Sequence, residues 1–350
     1  MNSFGRLFRV SIFGESHGEA IGAVLDGVTP GIRLSEEDFA ADIARRKSGA
    51  KGTTPRIEAD TPEILSGVYN GFTTGAPLAI IFRNGNTRSG DYSKLQDTPR
   101  PGHADLTAAV KWEGFNDPRG GGHFSGRLTL PIVAAGVVAK KMAGLAINAE
   151  LVEVGGVAKE DAPDDWKSVL DAAIREKDSV GGIVECRTGS LPEGLGEPFF
   201  DSVESLISHA IFAIPGVRGI EFGDGFRAAR MKGSEHNDPF GKPADGASAS
   251  EARVAAAQAA SPATALQVQP LKNGSGGMNG GITNGAPIVF RVAFKPTSSI
   301  AKAQQTWNFA TGGMTELEIP GRHDTCFALR TPVIVEAITA IVLADLLLIA

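Results

Sequence analysis

Two stretches of this chain repeat one another. Gly71-Phe-Thr-Thr-Gly-Ala-Pro77-Leu-Ala-Ile-Ile-Phe-Arg83 is matched by Gly281-Ile-Thr-Asn-Gly-Ala-Pro287-Ile-Val-Phe-Arg-Val-Ala293, 210 positions downstream (281 − 71). Both carry Gly-x-Thr-x-Gly-Ala-Pro ahead of an apolar, β-branched run, so each reads as a turn feeding a strand. A second echo pairs Arg127-Leu-Thr-Leu-Pro131 with Arg330-Thr-Pro332, each opening an Ala/Val-rich helix, the first running to about Leu145. Proline in the first helical turn suits both starts, because its missing N–H has no intrahelical partner to lose there. A weaker third echo sets Ile21-Gly-Ala-Val-Leu-Asp-Gly27 and the helix after Ser35 against Gly182-Ile-Val-Glu-Cys-Arg187 and the helix after Asp201. The chain reads as two related halves.

The halves constrain the architecture through their helices. Ser35, three residues before Asp38, resembles a capping box, and Phe39 and Ile43 give that helix a single apolar face, which suits a place at the surface of the core. The helices opening near Pro131 and Pro332 are apolar on nearly all sides and must be covered all round. Strand-like runs such as Leu78 to Phe82 and Pro287 to Phe294 supply sheets to cover them. With 350 residues, 42% of them hydrophobic, one domain or two is possible on size alone. The repeat favours one pseudo-symmetric domain over 1–350, in the α+β class. Its central apolar helices lie between two antiparallel sheets, a β-α-β sandwich. The segment 242–270 is mostly Ala, Ser, Pro and Gln and reads as a mobile loop, with a short Ala-rich helix allowed over 250–260.

Several function classes are excluded. The net charge is 34 − 40 = −6, and no basic stripe runs along the chain, which argues against a nucleic-acid partner. Cys186 and Cys326 are the two cysteines and have no CxxC spacing, so neither a disulfide framework nor a metal site is expected. A reduced, cytoplasmic setting follows. The most apolar stretch, Val333 to Ala350, carries Glu336 and Asp345 and reads as a buried helix rather than a membrane span.

Three of the 6 histidines stand in polar turns rich in Gly or Pro: Gly14-Glu15-Ser16-His17-Gly18, Arg100-Pro101-Gly102-His103-Ala104-Asp105 and Gly321-Arg322-His323-Asp324. An imidazole on a fixed turn is a candidate for proton transfer, and two of these stand near an arginine. The pattern suits a site where an anionic substrate meets acid–base groups. His209 and His236 carry no such signal.

These motifs, with Arg119-Gly-Gly-Gly-His-Phe-Ser-Gly-Arg127, Gly219-Ile-Glu-Phe-Gly-Asp-Gly-Phe226, Gly276-Gly-Met-Asn-Gly-Gly-Ile-Thr-Asn-Gly285 and Lys295-Pro-Thr-Ser-Ser299, together resemble the chorismate synthases over almost the whole chain. The resemblance implies a homotetrameric carbon–oxygen lyase of the shikimate pathway. It would convert 5-enolpyruvylshikimate 3-phosphate to chorismate and phosphate by a 1,4-anti elimination with reduced FMN. No segment resembles an added flavin reductase domain, so reduction by an external flavin reductase or other reductant is expected.

The resemblance also implies roles. His17 would protonate the leaving phosphate, His103 would support the reduced flavin electrostatically, and Asp324 would assist proton movement at the flavin. Ser16, Arg46, Lys51, Arg127 and Arg322 would bind substrate, because guanidinium forks suit phosphate and carboxylate. His123, Phe124, Ser125, Pro215, Gly216, Gly280, Lys295, Pro296, Thr297, Ser298, Ser299 and Arg322 would bind the flavin. Two departures stand out. Lys51 replaces a usual arginine, and His123-Phe124 replaces a usual Arg-Ser. They motivate an alternative reading, a non-catalytic FMN-binding relative of the same fold. A third reading is a phosphate-eliminating lyase without flavin.

Overall fold

The computed structural model describes residues 1–54, 58–85, 97–162, 164–241, 268–319 and 323–350. The first half builds strands β1 (Ser3–Phe4), β2 (Arg9–Gly14), β3 (Ala20–Asp26), β4 (Pro62–Ser66), β5 (Val68–Tyr69), β6 (Phe72–Thr73) and β7 (Leu78–Arg83). Strands β1-β2-β3-β7-β4, in that order, form one antiparallel sheet. The second half builds β8 (Ile147–Val154), β9 (Val157–Ala158), β10 (Gly182–Thr188) and β11 (Val217–Phe222). A hairpin of β12 (Phe240–Gly241) and β13 (Gln269–Pro270) follows, then β14 (Met278–Asn279), β15 (Ile282–Thr283) and β16 (Val289–Phe294). Its sheet has the order β11-β16-β10-β8-β9, again antiparallel.

The two sheets superpose as topologies. Strands β2-β3-β7-β4 answer to β8-β10-β16-β11, and the small hairpins β5-β6 and β14-β15 share one register at the repeat distance of 210 (278 − 68). The edge strands break the symmetry, since β1 precedes β2 whereas β9 follows β8.

The helices used below are α1 (Ala40–Arg46), α2 (Asp105–Lys111), α3 (Thr129–Ala143), α4 (Asp165–Arg175), α5 (Val203–Ile211) and α6 (Pro332–Ile349), besides a single turn at Gly233–His236. Helix α3 packs on β2, β3 and β7, and α6 packs on β8 and β10, while the two pack on each other. They close up at Gly136, where a methyl group would stand 2.3 Å from Cβ and 2.4 Å from Cα of Ala337. Helices α1 and α5 fill the same layer. The expected sandwich of helices between antiparallel sheets is what forms. One buried cluster joins Phe39 and Phe82 of the first half to Ile207 and Phe290 of the second.

Burying α6 requires its two acids to be satisfied, because an isolated charge in the core costs several kcal/mol or more. Asp345 accepts the backbone N–H groups of Arg6, Leu7 and Phe8 at 2.7 to 3.0 Å. Glu336 takes a bidentate bond from Arg45 at 2.6 and 2.7 Å, with Lys140 at 3.1 Å and the Ala149 N–H at 2.8 Å. These carboxylates tie the helix layer to the strands on either side. By length and composition α6 could cross a membrane, yet 78% of it is enclosed by protein.

Two boundaries differ from the sequence reading. Helix α3 starts at Thr129, two residues before Pro131, because a 3₁₀ turn over Gly126–Leu128 leads in and Ser125 Oγ accepts the Arg127 N–H at 3.3 Å. Proline still falls in the first turn, where it costs no hydrogen bond. In the segment 242–270, residues 242–267, including the allowed helix, lie outside the described residues. Its end is not loop: Gln269–Pro270 pairs with Phe240–Gly241, since a strand already formed there offers backbone partners.

Candidate active site

A cleft of about 710 Å³ opens at one end of the helix layer, lined by the C-terminal end of α1, the turn before α2, the glycine-rich approach to α3, the turn after α5, the turn after β16 and the approach to α6. Loops at the ends of packed elements therefore carry the polar groups, while the core holds them in place.

The glycine-rich segment shapes one wall. Gly120, Gly121 and Gly122 have φ of 60°, 81° and 53°, a run of left-handed backbone that residues with a Cβ resist. A Cβ on Gly120 would lie 2.2 Å from both Nδ1 and Cε1 of His17 and 2.9 Å from Ser16 Oγ. The Ser16 N–H donates to the Gly122 carbonyl at 3.1 Å. The loop thus lies flat over Ser16 and His17, which are 0% and 7% exposed. Gly120 lines the cleft, and the His17 imidazole sits directly behind it. Nearby, the Asp117 carboxyl is held below its ordinary range by the Arg119 fork, against the effect of burial, with the charge of His17 adding to the pull.

A second wall is the Arg100 turn. The Arg100 guanidinium grips Asp105 with Nε to Oδ2 and Nη2 to Oδ1, both at 2.7 Å, and its Nη1 donates to Ser299 Oγ at 3.0 Å. His103 Nδ1 lies 2.6 Å from Asp105 Oδ1, which directs a proton on Nδ1 at the carboxylate and leaves the opposite ring edge facing Gly121. Burial alone would raise the Asp105 pKa; the bonds from Arg100 and His103 overcome it and hold the group low. Lys295 Nζ and Ser298 Oγ both donate to the Gly102 carbonyl, at 2.9 and 2.8 Å, so the Lys295–Ser299 turn clamps the Arg100 turn. Burial, and then Arg218, lower the Lys295 pKa. The Lys295 N–H in turn bonds the Gly216 carbonyl at 2.8 Å, bringing Pro215 and Gly216 to the cleft.

Opposite stands a pair of buried arginines. Arg46 Nη2 bonds Asp60 Oδ2 at 3.0 Å, and Arg127 Nη1 bonds the other oxygen of the same carboxylate. Arg127 Nε also donates to Asn84 Oδ1 at 3.0 Å. Burial pulls Arg46 down to about 10, Asp60 opposing and Arg330 and Arg127 assisting. Asp60 is kept ionised by those two guanidiniums against its own burial.

The approach to α6 supplies Asp324. Its Oδ1 accepts the Thr54 N–H at 2.8 Å and its Oδ2 accepts Arg330 Nη2 at 2.7 Å, while the Arg330 guanidinium lies 5.1 Å from the Phe327 ring centre. His323 also lines the cleft, and its pKa is lowered by burial and then by Arg100.

Of the residues expected at the site, His103, Phe124, Ser125, Arg46, Arg127, Asp324, Pro215, Gly216 and Lys295–Ser299 all reach the cleft. His123 lines it too, but its ring is turned to the N-terminal segment, with Nδ1 at 2.7 Å from the Gly14 carbonyl and Nε2 at 3.1 Å from Asn2 Oδ1. Phe124 leans on Trp112 at 5.5 Å. Lys51 is not among the residues that line the cleft, although Lys47, Ser48 and Thr54 of the same segment are; its Nζ is taken up in an exposed ion pair with Asp171. Gly280 is the turn of the β14-β15 hairpin, with φ 61° and open space around it. Arg322 lies outside the described residues. Sequence reasoning missed Arg100, Asp60 and Arg330 as site members. Arg100 and Arg330 stand in the repeated and histidine-bearing motifs and could have been found there; Asp60 stands in none.

The cleft is dominated by cations and has unmet polar atoms. Arg46 Nε, Thr297 Oγ1, His323 Nε2 and Arg330 Nε are buried without a hydrogen-bond partner and belong to lining residues, and Ser16 Oγ is the same behind Gly120. Such groups are uncommon in folded proteins, and their gathering at one cleft marks where a polar ligand binds.

Comparison with known proteins bears on the family of the chain. The family model for chorismate synthase matches residues 8–348. A chorismate synthase of Chitinophaga pinensis is 57% identical over 350 residues, covering 99% of this chain and 97% of its own. One of Korarchaeum cryptofilum is 44% identical, covering 98% and 96%. A crystal structure of a chorismate synthase superposes with a TM-score of 0.71 at 27% identity, over 99% of this chain and 93% of that one. With its two-halved sandwich and its cationic cleft, this chain belongs to the chorismate synthase family.

Proposed function

We propose that the cleft binds 5-enolpyruvylshikimate 3-phosphate together with reduced FMN and catalyses the 1,4-anti elimination that releases chorismate and phosphate. The observation that carries this reading is the gathering of Arg46, Arg100, Arg127 and Arg330 around one cleft whose buried polar atoms lack partners. A phosphorylated dicarboxylate needs such an array, since guanidinium forks pair with both anion types. The volume, about 710 Å³, suits small-molecule ligands.

The residues present fit a flavin. The unpartnered Thr297 Oγ1 on the Lys295–Ser299 turn, the backbone of Ser125 and Gly216, and the flat face of Phe124 supply hydrogen bonds and an apolar wall. A bound reduced flavin would supply a transient electron to the substrate as the C–O bond to phosphate breaks and would regain it, so the reaction would be redox-neutral overall.

This chain's own groups do the rest. Arg46 and Arg127, bridged by the Asp60 carboxylate, hold the anionic end of the substrate. His17, behind Gly120, gives a proton to the leaving phosphate oxygen. His103 is fixed beside the flavin site by Asp105 through Nδ1. Asp324, anchored by Thr54 and Arg330, adds a fixed carboxylate.

We further propose that the chain works as one domain over 1–350, as a homotetramer, in the cytoplasm, with FMN reduced by an external reductant. Gly280 and Lys51 would act, if at all, from outside the cleft of their own chain.

The test is anaerobic turnover of 5-enolpyruvylshikimate 3-phosphate with chemically reduced FMN, following both products, for the wild type beside His17→Ala. Collapse in the variant with FMN binding retained supports the reading. A wild type that binds reduced FMN and releases neither product is the non-catalytic flavin-binding relative instead.

A further inference from the structure

Asn84 directly follows β7, and its backbone extends the pairing of that strand with β3, its N–H donating to the Glu19 carbonyl at 3.0 Å. Its side chain then reaches the turn between β2 and β3, which carries Ser16 and His17. Nδ2 donates to the Glu15 carbonyl at 3.1 Å and to the Gly18 carbonyl at 2.9 Å, one on each side of that pair. At the other end of the amide, Oδ1 accepts Arg127 Nε at 3.0 Å. The two ends cannot be exchanged. Backbone carbonyls only accept and a guanidinium only donates, so the nitrogen must face the turn and the oxygen must face Arg127.

The fold by itself does not ask for this amide. The repeat puts Phe294 at the matching place in the second half (84 + 210), with its side chain buried in the core. A strand end of the same kind is therefore built there without an asparagine. The His17 turn is also tied by the Gly18 N–H to the Glu15 carbonyl at 3.2 Å and by the Ser16 N–H to Gly122 at 3.1 Å, but neither bond reaches Arg127. Arg127 is gripped at Nη1 by Asp60 and at Nε by Asn84, and two partners on different nitrogens set the plane of the guanidinium.

We propose that Asn84 is a positioning residue for the elimination: its one amide fixes the His17 turn and the Arg127 guanidinium relative to each other, so that proton donor and anion-holding group meet the same substrate in register. This rests on the function proposed above, in which His17 protonates the leaving phosphate and Arg127 holds the anionic end. Asn84 does not line the cleft and acts only through those two residues. Its side chain is short and starts from a strand end, so the spacing it sets is rigid. Losing both bonds to the turn frees His17 to shift, and a reacting group misplaced by about 1 Å costs on the order of 100-fold in rate.

The experiment is a pair of double-mutant cycles, Asn84→Ala with His17→Ala and Asn84→Ala with Arg127→Ala; Asn84→Ser is made in parallel and takes its place if the alanine variant does not fold. Folding is checked by urea denaturation, substrate affinity by calorimetry without reductant, and kcat by anaerobic turnover with reduced FMN, normalised to folded protein. Asn84→Ala is expected to lower kcat by about 100-fold and to weaken substrate binding by about 3- to 10-fold. In the His17→Ala background the same change should move kcat by less than threefold, and in the Arg127→Ala background it should move affinity by less than threefold. A residue that acts through another has nothing left to position once that one is gone, whereas one that only supports the fold costs the same factor in every background. The proposal is overturned if Asn84→Ala keeps kcat within threefold of wild type, if either cycle is additive, or if neither Asn84 variant folds. A wild type that makes no chorismate, or a His17→Ala enzyme as active as wild type, removes the function reading together with this inference; an active wild type with an additive His17–Asn84 cycle removes this inference alone.

Discussion

Replacing Gly120 with alanine tests whether the glycine run exists to seat His17. The added Cβ would stand 2.2 Å from the His17 Nδ1 and Cε1 atoms, whereas ordinary contact begins at 3.4 Å, so about 1.2 Å must be found. The loop itself is held by the Ser16 N–H bond to Gly122, which leaves the imidazole as the part that moves. Alanine at φ 60°, ψ 20° also costs about 1 to 2 kcal/mol of backbone strain. Gly144 supplies the control, because it has φ 61°, ψ 30° at the end of α3 with no atom within 4 Å of the place an added Cβ would take. Both alanine variants should lose about 1 to 2 kcal/mol in urea denaturation. Gly120→Ala alone should lose activity. A reacting group misplaced by about 1 Å costs on the order of 100-fold in rate, equivalent to about 2.7 kcal/mol of barrier. The assay is anaerobic kcat with reduced FMN, normalised to folded protein. If Gly120→Ala turns over within threefold of Gly144→Ala, the glycines do not position His17 and the reasoning fails.

Two further outcomes are expected. Lys51→Ala should leave substrate KM within threefold and stability within about 1 kcal/mol, since it is held in an exposed pair with Asp171 and does not line the cleft, whereas Arg46→Ala should weaken substrate binding by about 10- to 100-fold; a tenfold rise in KM for Lys51→Ala would return that lysine to the site. Gly136→Ala should lower the urea midpoint by about 1 to 3 kcal/mol equivalent, because the clash with Ala337 exceeds the gain of about 1 kcal/mol in helix propensity; a variant as stable as wild type would mean that α3 and α6 do not meet there.

Much of the fold was legible because it is written twice. The repeated Gly-x-Thr-x-Gly-Ala-Pro segments became the β5-β6 and β14-β15 hairpins and the strands after them, in the same register. The apolar faces of α3 and α6 admitted no place but the middle layer. The start of α3 was misread by two residues because a capping serine at 125, not the proline, begins the turn. The edge strands β1 and β9 carried no signal in two residues each.

The site divides in the same way. His17, His103 and Asp324 stood in motifs with glycine or proline around them, which local backbone chemistry singles out, whereas Arg46 and Arg127 were reached through the family resemblance. What local sequence could not express was who faces whom. Asp60 has no motif, yet it holds Arg46 and Arg127 from positions 14 and 67 residues away. Lys51 has the right charge and points at Asp171 instead. His123 turns its ring to Gly14 and Asn2, more than 100 residues upstream. By itself the sequence determined the two halves, the buried helices and the turns that carry acid–base groups, because periodicity and glycine or proline geometry act over a few residues. Only the tertiary structure decided which charges pair and which nitrogen is left to meet a ligand, because hydrogen bonds and desolvation depend on distances between chain segments that folding alone brings together.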